Sequence, residues 1–321
     1  MSFYQKVLAF AQQQCENLNN KDLRNLQTHL SLAYQQHYPT SSLNNFNTAA
    51  IYTVTRMPAT YHALLKCYQQ FPLDFQPHTL LDLGAGPGTA SLAALDHWKN
   101  TKKITLLENY SHMYEFQNRL WNYLNLSISS QHLFNDIRVW NDPKNLQYDL
   151  VVMAYMLGEI NSTQREEAVL KAWDKTQNFL LIVTPGTVHD FTYLLEARDL
   201  LLRKGGSLLG PCPHHERCPL SRTNDWCHFS VRLTRTSLHK ICKKGTLNYE
   251  DEKFSYLIFS KSFDSTTIHQ ARVIRKPIQG SGHIILDVCT KGRINRQIVS
   301  KKDSHYKCMS KIKWGDTFKT V

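Results

Sequence analysis

"LLDLGAGPGTA", Leu80–Ala90, places an apolar run, one acidic residue and three glycines directly ahead of a helical pattern. Asp82 is followed by Gly84, Gly86 and Gly88 in G-x-G-x-G spacing. Glycines let the backbone turn sharply and let a ligand approach where a Cβ would stand. A dinucleotide loop reads G-x-G-x-x-G and seats pyrophosphate on a helix amino terminus. Here the third glycine comes one residue early and Pro87 sits inside the loop. An acid just ahead of such a loop suits a cationic amino-acid ligand better than a pyrophosphate.

Outward from this loop the chain alternates short apolar runs with helical periodicity. "TLLDLG", "KITLLE", "YDLVVMAYML" and "FLLIVTPG" read as strands, and "TASLAALDHW", "SHMYEFQNRLWNYL" and "QREEAVLKAWDKT" as the helices between them. That rhythm predicts an α/β fold with a parallel, doubly wound sheet. "FTYLLEARDLLLRKGG" is a further helix, and "FSYLIFSK" returns as a strand. Residues 1–70 read as a helical region with a polar connector around Pro39. Residues 71–262 form the sheet domain, interrupted by a cysteine-rich insertion over 205–235. Residues 263–321 alternate short β-type runs with glycine turns, as in a small β extension.

"KITLLEN" ends its strand at Glu108, whose carboxylate can accept hydrogen bonds from both hydroxyls of a ribose. Asp82, the glycines and Glu108 within one βαβ unit resemble the S-adenosylmethionine site of class I methyltransferases. Asp136 stands where that fold often holds the adenine amino group. No catalytic residue emerges. Where that fold ends its fourth strand this chain reads "MAYMLGEI" (Met153–Ile160), at the place where an N/D-P-P-Y/F tetrapeptide would mark an amine methyltransferase. "NDPK" precedes that strand, and Pro211-Cys212 lies too far downstream to act as a cytosine-attacking thiol. Glu159 could act as a general base there, although an unperturbed surface glutamate is the reading preferred.

"CPHHERCPLSRTNDWC" (Cys212–Cys227) gathers three of the eight cysteines at C-x5-C-x8-C spacing, and Cys289 in "ILDVCTKG" offers a fourth thiol. Zinc modules pair their ligands on tight C-x2–4-C knuckles. Wide, irregular spacing with adjacent prolines suits a [4Fe–4S] cubane held by four thiolates. Zinc with three cysteines and His214, His215 or His228 is the rival reading.

The net charge of +12 is unevenly placed: residues 1–200 carry 15 Lys and Arg against 17 Asp and Glu, and residues 201–321 carry 23 against 9. A basic carboxyl-terminal third points to a polyanion such as RNA. No apolar run is long enough for a membrane span. The amino terminus lacks the features of a secretory or mitochondrial leader, so a bacterial-type cytoplasmic address is expected.

The blocks "RMPATYHALL" (56–65), "LLDLGAGPGTASLA" (80–93), "GPCPHHERCPL" (210–220), "DWCHFSVR" (225–232), "RVIRKPIQGSGHIILDVCTKG" (272–292) and "KWGD" (313–316) resemble the methyltransferase-like assembly factors of the small ribosomal subunit. The resemblance runs from residue 56 nearly to the end. It implies a class I methyltransferase fold and binding of S-adenosylmethionine through Asp82, Gly84, Gly86, Gly88, Glu108 and Asp136. It implies a [4Fe–4S] cluster on Cys212, Cys218, Cys227 and Cys289, contact with small-subunit rRNA, and a monomer off the ribosome. It leaves a methyltransferase and a non-catalytic rRNA-binding factor both open. One departure stands out: after "FLLIV", where "EPGT" is expected, the chain has "TPGT", with Thr184 in place of the acid.

Overall fold

The computed structural model describes residues 2–35, 45–142, 144–262 and 270–319. Pro39 and the polar connector expected around it lie outside these residues. The chain divides into two compact units, Met1–Val183 with Val231–Glu252, and Thr184–Ser230 with Lys253–Val321. This division differs from the three segments expected along the sequence. The amino-terminal helices belong to the same unit as the glycine loop, and the cysteine-rich stretch to the same unit as the carboxyl-terminal strands.

The first unit opens with α1 (Phe3–Gln13), α2 (Asn20–Gln35), α3 (Phe46–Thr55) and α4 (Met57–Tyr68). Ser2 caps α1 in a reciprocal box with Gln5, satisfying backbone donors that the first turn leaves open. The strands β1 (Thr79–Leu83), β2 (Lys103–Glu108), β3 (Ser129–Phe134), β4 (Tyr148–Ala154) and β5 (Thr176–Pro185) follow, separated by α5 (Thr89–His97), α6 (Ser111–Leu124) and α7 (Ser162–Asp174). Their hydrogen-bonded order is β3-β2-β1-β4-β5, all parallel. Leu80, Leu81 and Leu83 are wholly buried because β1 has a strand on each side and α5 packs against it. α6 buries Met113, Phe116, Leu120, Trp121 and Leu124, spaced three and four apart but for one adjacent pair, and Asn125 ends it in the left-handed region. Each such side chain contributes about 1.5–3 kcal/mol on burial.

Parts of β7 (Phe229–Thr234) and β8 (Tyr249–Ser260), with α9 (Ser237–Lys243) between them, complete this unit. There Glu250 receives Lys243 at 2.8 Å, His239 at 3.0 Å and Arg235 at 3.2 Å.

The second unit contains α8 (Val188–Arg203), β6 (Ser207–Gly210) running antiparallel to β8, and a separate antiparallel sheet. The separate sheet has β9 (Gln270–Val273), β10 (Ile278–Gln279), β11 (His283–Thr290), β12 (Arg293–Ser300) and β13 (Thr317–Lys319), with α10 (Tyr306–Met309) before the last strand. Its order is β10-β11-β9-β13, with β12 paired to β11 throughout. The β11–β12 hairpin turns through Lys291 and Gly292, both at positive φ as a two-residue turn of this hand requires. Alternation along β11 sends Ile284, Leu286 and Val288 into a core shared with Ala271, Val273 and Val299.

Candidate functional site

The first site lies at the carboxyl ends of the parallel strands, where the order reverses between β1 and its two neighbours. Open α/β sheets bind their ligands there. A pocket is lined by Tyr52, Gly84, Gly86, Glu108, Asn109, Tyr110, Asp136, Arg138, Tyr155, Met156 and Glu159, among others. Gly84, Gly86 and Gly88 all sit at positive φ. The loop is held from two sides. Ala85 N–H donates to the Leu107 carbonyl at 2.9 Å, tying the turn to β2. From α6, Gln117 Nε2 donates to the Gly86 carbonyl at 2.6 Å and the Trp121 indole to the Pro87 carbonyl at 3.3 Å. A Cβ on Gly88 would stand 2.5 Å from the Trp121 Nε1, so φ and space both demand glycine there.

The expected cofactor residues divide. Gly84, Gly86, Glu108 and Asp136 line the pocket; Asp82 and Gly88 do not. Asp82 is buried and accepts from Ser91 N–H at 3.0 Å and Ser91 Oγ at 2.7 Å. It therefore anchors the first turn of α5. Burial pushes its carboxyl up to about 7, the Ser91 bonds opposing and the Glu108 charge adding. Glu108 accepts three backbone N–H groups: Gly86 at 2.8 Å, Asn109 at 2.9 Å and Tyr110 at 2.9 Å. Burial raises its pKa and those three bonds pull it back. Asp136 is committed to Arg138, whose Nε lies 2.8 Å and 2.9 Å from its two oxygens, and it accepts from Asn109 Nδ2 at 3.3 Å. The Arg138 bond holds its carboxyl below the usual range.

The loop after β4 departs from expectation at Glu159. This residue lies in the pocket wall, accepts from the Tyr110 hydroxyl at 3.2 Å, and is raised to about 8 by burial and then by the Glu108 charge. It is not an ordinary surface glutamate, and the pairing with Tyr110 had no signature in the sequence. Tyr155 sits at φ 60, uncommon for a residue with a side chain. Its hydroxyl donates to Glu252 at 3.1 Å, and Arg56 reaches the same carboxylate at 3.6 Å.

The second site lies wholly in the second unit. Cys212, Cys218, Cys227 and Cys289 line one cavity with Phe191, Leu194, Leu220, Ile294, Arg198 and Arg272 among its other walls. Proline geometry and α8 shape one side, and Cys289 enters from β11. Cys289 Sγ lies 3.4 Å from His214 Nε2, while the buried His214 Nδ1 has no hydrogen-bond partner among the described residues. Burial, then the neighbouring thiols, pushes Cys218 up to about 11 and Cys289 to about 12. Among the described residues no three His, Cys, Asp or Glu side chains converge tightly enough to hold a single metal ion. His215 Nε2 instead accepts from Leu208 N–H at 3.1 Å, and His228 stacks on Trp226. Thr184, in the place of the expected acid, is fully buried with its hydroxyl unpartnered among the described residues.

The strand order, the glycine turn after β1 and the acid ending β2 define a class I, Rossmann-like methyltransferase fold. Residues 47–319 match the family described as mitochondrial small ribosomal subunit Rsm22, and the chain belongs to that family. It is 26% identical over 288 residues to the human mitochondrial ribosome assembly protein METTL17, covering 83% of this chain and 61% of the relative. It is 23% identical over 291 residues to Rsm22-cox11 tandem protein 2, mitochondrial, of Schizosaccharomyces pombe, covering 74% of this chain and 38% of the relative. The chain thus spans less than two thirds of either relative. Among solved structures, an O-methyltransferase family protein from Burkholderia thailandensis superposes with a TM-score of 0.44 at 13% identity, over 55% of this chain and 59% of that one. The bacterial-type cytoplasmic address expected from the amino terminus is corrected by these relatives, which are named as mitochondrial, as is the family itself.

Proposed function

We propose that this protein is an S-adenosylmethionine-binding, iron–sulfur-containing assembly factor that grips small-subunit rRNA in mitochondria. The observation that carries the reading is the pocket at the sheet's switch point, where Gly84, Gly86, Glu108 and Asp136 come together. The two glycines admit a ligand close to the backbone, and Glu108 retains lone-pair capacity for a ribose hydroxyl beyond its three backbone donors. Asp82 acts one layer back, fixing α5 beneath the loop. The human relative, named for ribosome assembly, supports the cellular role, and the excess of Lys and Arg after residue 200 supports an RNA partner.

A [4Fe–4S] group fits the second site. The donor set is four thiols on one cavity, the walls are largely apolar, and two buried arginines supply positive charge toward a group that is negative once ligated. A four-iron cube is larger than one ion and holds its thiolates further apart, so it does not need the tight convergence a single ion demands. Bound there, it would supply a structural clasp and a one-electron couple. Cys212, Cys218 and Cys227 would hold it from the stretch after α8 and Cys289 from β11. Cys289 touches His214, but the lack, among the described residues, of three such side chains converging on one point disfavours the rival, a single zinc on three cysteines and one histidine. Metal and sulfide analysis of anaerobically purified protein separates them: about four irons with matching sulfide, or one zinc.

A non-catalytic role is favoured by the loop after β4, where the Tyr155 hydroxyl and the Glu159 carboxyl already engage Glu252 and Tyr110. Incubation with labelled S-adenosylmethionine and immature small subunits tests this. The expected result is cofactor bound and no label in rRNA; label in rRNA establishes a methyltransferase instead.

A further inference from the structure

Among the described residues Arg198, on α8, is the largest fully buried side chain, at 1% exposure, and it forms part of the wall of the thiol cavity. A guanidinium cannot shed its charge in a protein. Its Nη2 donates to the Glu216 carbonyl at 2.6 Å and the His214 carbonyl at 3.3 Å. Its Nη1 meets Asp199 at 3.2 Å, a carboxylate whose side chain is 54% exposed and therefore well screened. Its Nε has no partner among the described residues, and Cys212 is the neighbouring thiol. A fixed cation buried with so little anionic compensation is costly unless the adjoining cavity holds negative charge.

We infer that Arg198 is the counter-charge for an anionic group seated in the thiol cavity, and that it sets the potential at which that group accepts an electron. The inference rests on the iron–sulfur reading above. Reduction adds one electron, from dithionite in the test below, and takes the tetrathiolate cluster from doubly to triply negative with no bond made or broken. A cation beside Cys212 stabilises the reduced form more than the oxidised form, so it raises the potential. Arg198 would act from the ligand loop, through the His214 and Glu216 carbonyls it holds; it is a positioning and charge-compensating residue.

The experiment compares full-length wild type, Arg198→Lys and Arg198→Met after anaerobic reconstitution. Iron and sulfide content are measured, and then the midpoint potential by electron paramagnetic resonance during dithionite titration. Arg198→Met is expected to take up iron and to be reduced at least tenfold less favourably at a given potential, a fall of about 59 mV for one electron. Arg198→Lys, which keeps the charge and loses the paired carbonyl contacts, is expected to stay within about threefold of wild type. A loaded Arg198→Met with the wild-type midpoint overturns the inference and leaves the iron–sulfur reading standing. Wild type without iron and sulfide overturns both. If Arg198→Met does not load, Arg198→Lys decides: loading at the wild-type midpoint supports the counter-charge, and failure to load shows that the carbonyl contacts, not the charge, matter.

Discussion

The two pockets of this protein are built by opposite means. The pocket above the parallel sheet is polar and framed by backbone hydrogen bonds: a glycine turn, the ends of the neighbouring parallel strands and one helix that braces the turn. The thiol cavity is mostly apolar, and its ligand candidates come from Cys212–Cys227 and from Cys289 on a strand much later in the chain. A polar site held by backbone hydrogen bonds keeps its shape when its ligand leaves. In the thiol cavity Arg198, Arg272 and His215 fix the loop backbone, but the four thiols are not bonded to one another, so a bound group would add to stability there.

That contrast is broken or sharpened by four substitutions. The largest effect is expected for Cys289→Ser, which should abolish iron and sulfide uptake and lower stability by about 3 kcal/mol, roughly 6–12 °C in melting temperature. A variant that melts like wild type would remove the clasp. Glu108→Gln turns an amide NH2 toward a backbone N–H that one carboxylate oxygen now accepts, so it weakens the loop as well as the ribose acceptor. S-adenosylmethionine affinity by calorimetry should drop about tenfold to a hundredfold, with about 1–3 kcal/mol lost in chemical denaturation; unchanged affinity places the cofactor elsewhere. Gly88→Ala should cost about 2 kcal/mol in chemical denaturation, from positive φ and contact with Trp121. Since Gly88 does not line the pocket, that cost should appear in stability before affinity.

The smallest effect concerns pH. Glu159 titrates near 8 in the folded protein, above the ordinary carboxyl value of about 4 in the unfolded chain. Between those values the folded form holds the proton that the unfolded form has lost, so wild-type stability falls as pH rises from about 4 to about 8. Glu159→Gln should flatten that slope by about 1 kcal/mol across the window, partial solvent access keeping the figure low. Parallel unfolding curves for both proteins at pH 5 and pH 8 would show that Glu159 is not the group responsible.

Legibility in the sequence followed the range of the interactions. β1, β2 and α6 were readable because apolar spacing directly reports which face is buried. β3 was not assigned as a strand: Ser129–Phe134 lies at the sheet edge with exposed and half-buried residues, so no apolar run or clean alternation marks it. Asp82 carried the right residue type at the right spacing, yet spacing cannot tell which way a side chain turns. Here the open N–H of Ser91 in the first turn of α5 competes for it. The surroundings of Glu159 are not legible in the sequence, because Tyr110 and Glu108, which face it, come from another strand end. Arg198 carried no signal at all, since an arginine on an amphipathic helix usually faces water.

Trp121 has one more use. Its indole N–H is bound to the Pro87 carbonyl inside the glycine turn, and the ring is 5% exposed. Any molecule that settles on Gly84 and Gly86 and shifts that carbonyl alters the indole's surroundings, and so its emission. The protein therefore carries a built-in fluorescent reporter of ligand occupancy, readable against the five other tryptophans by comparison with Trp121→Phe.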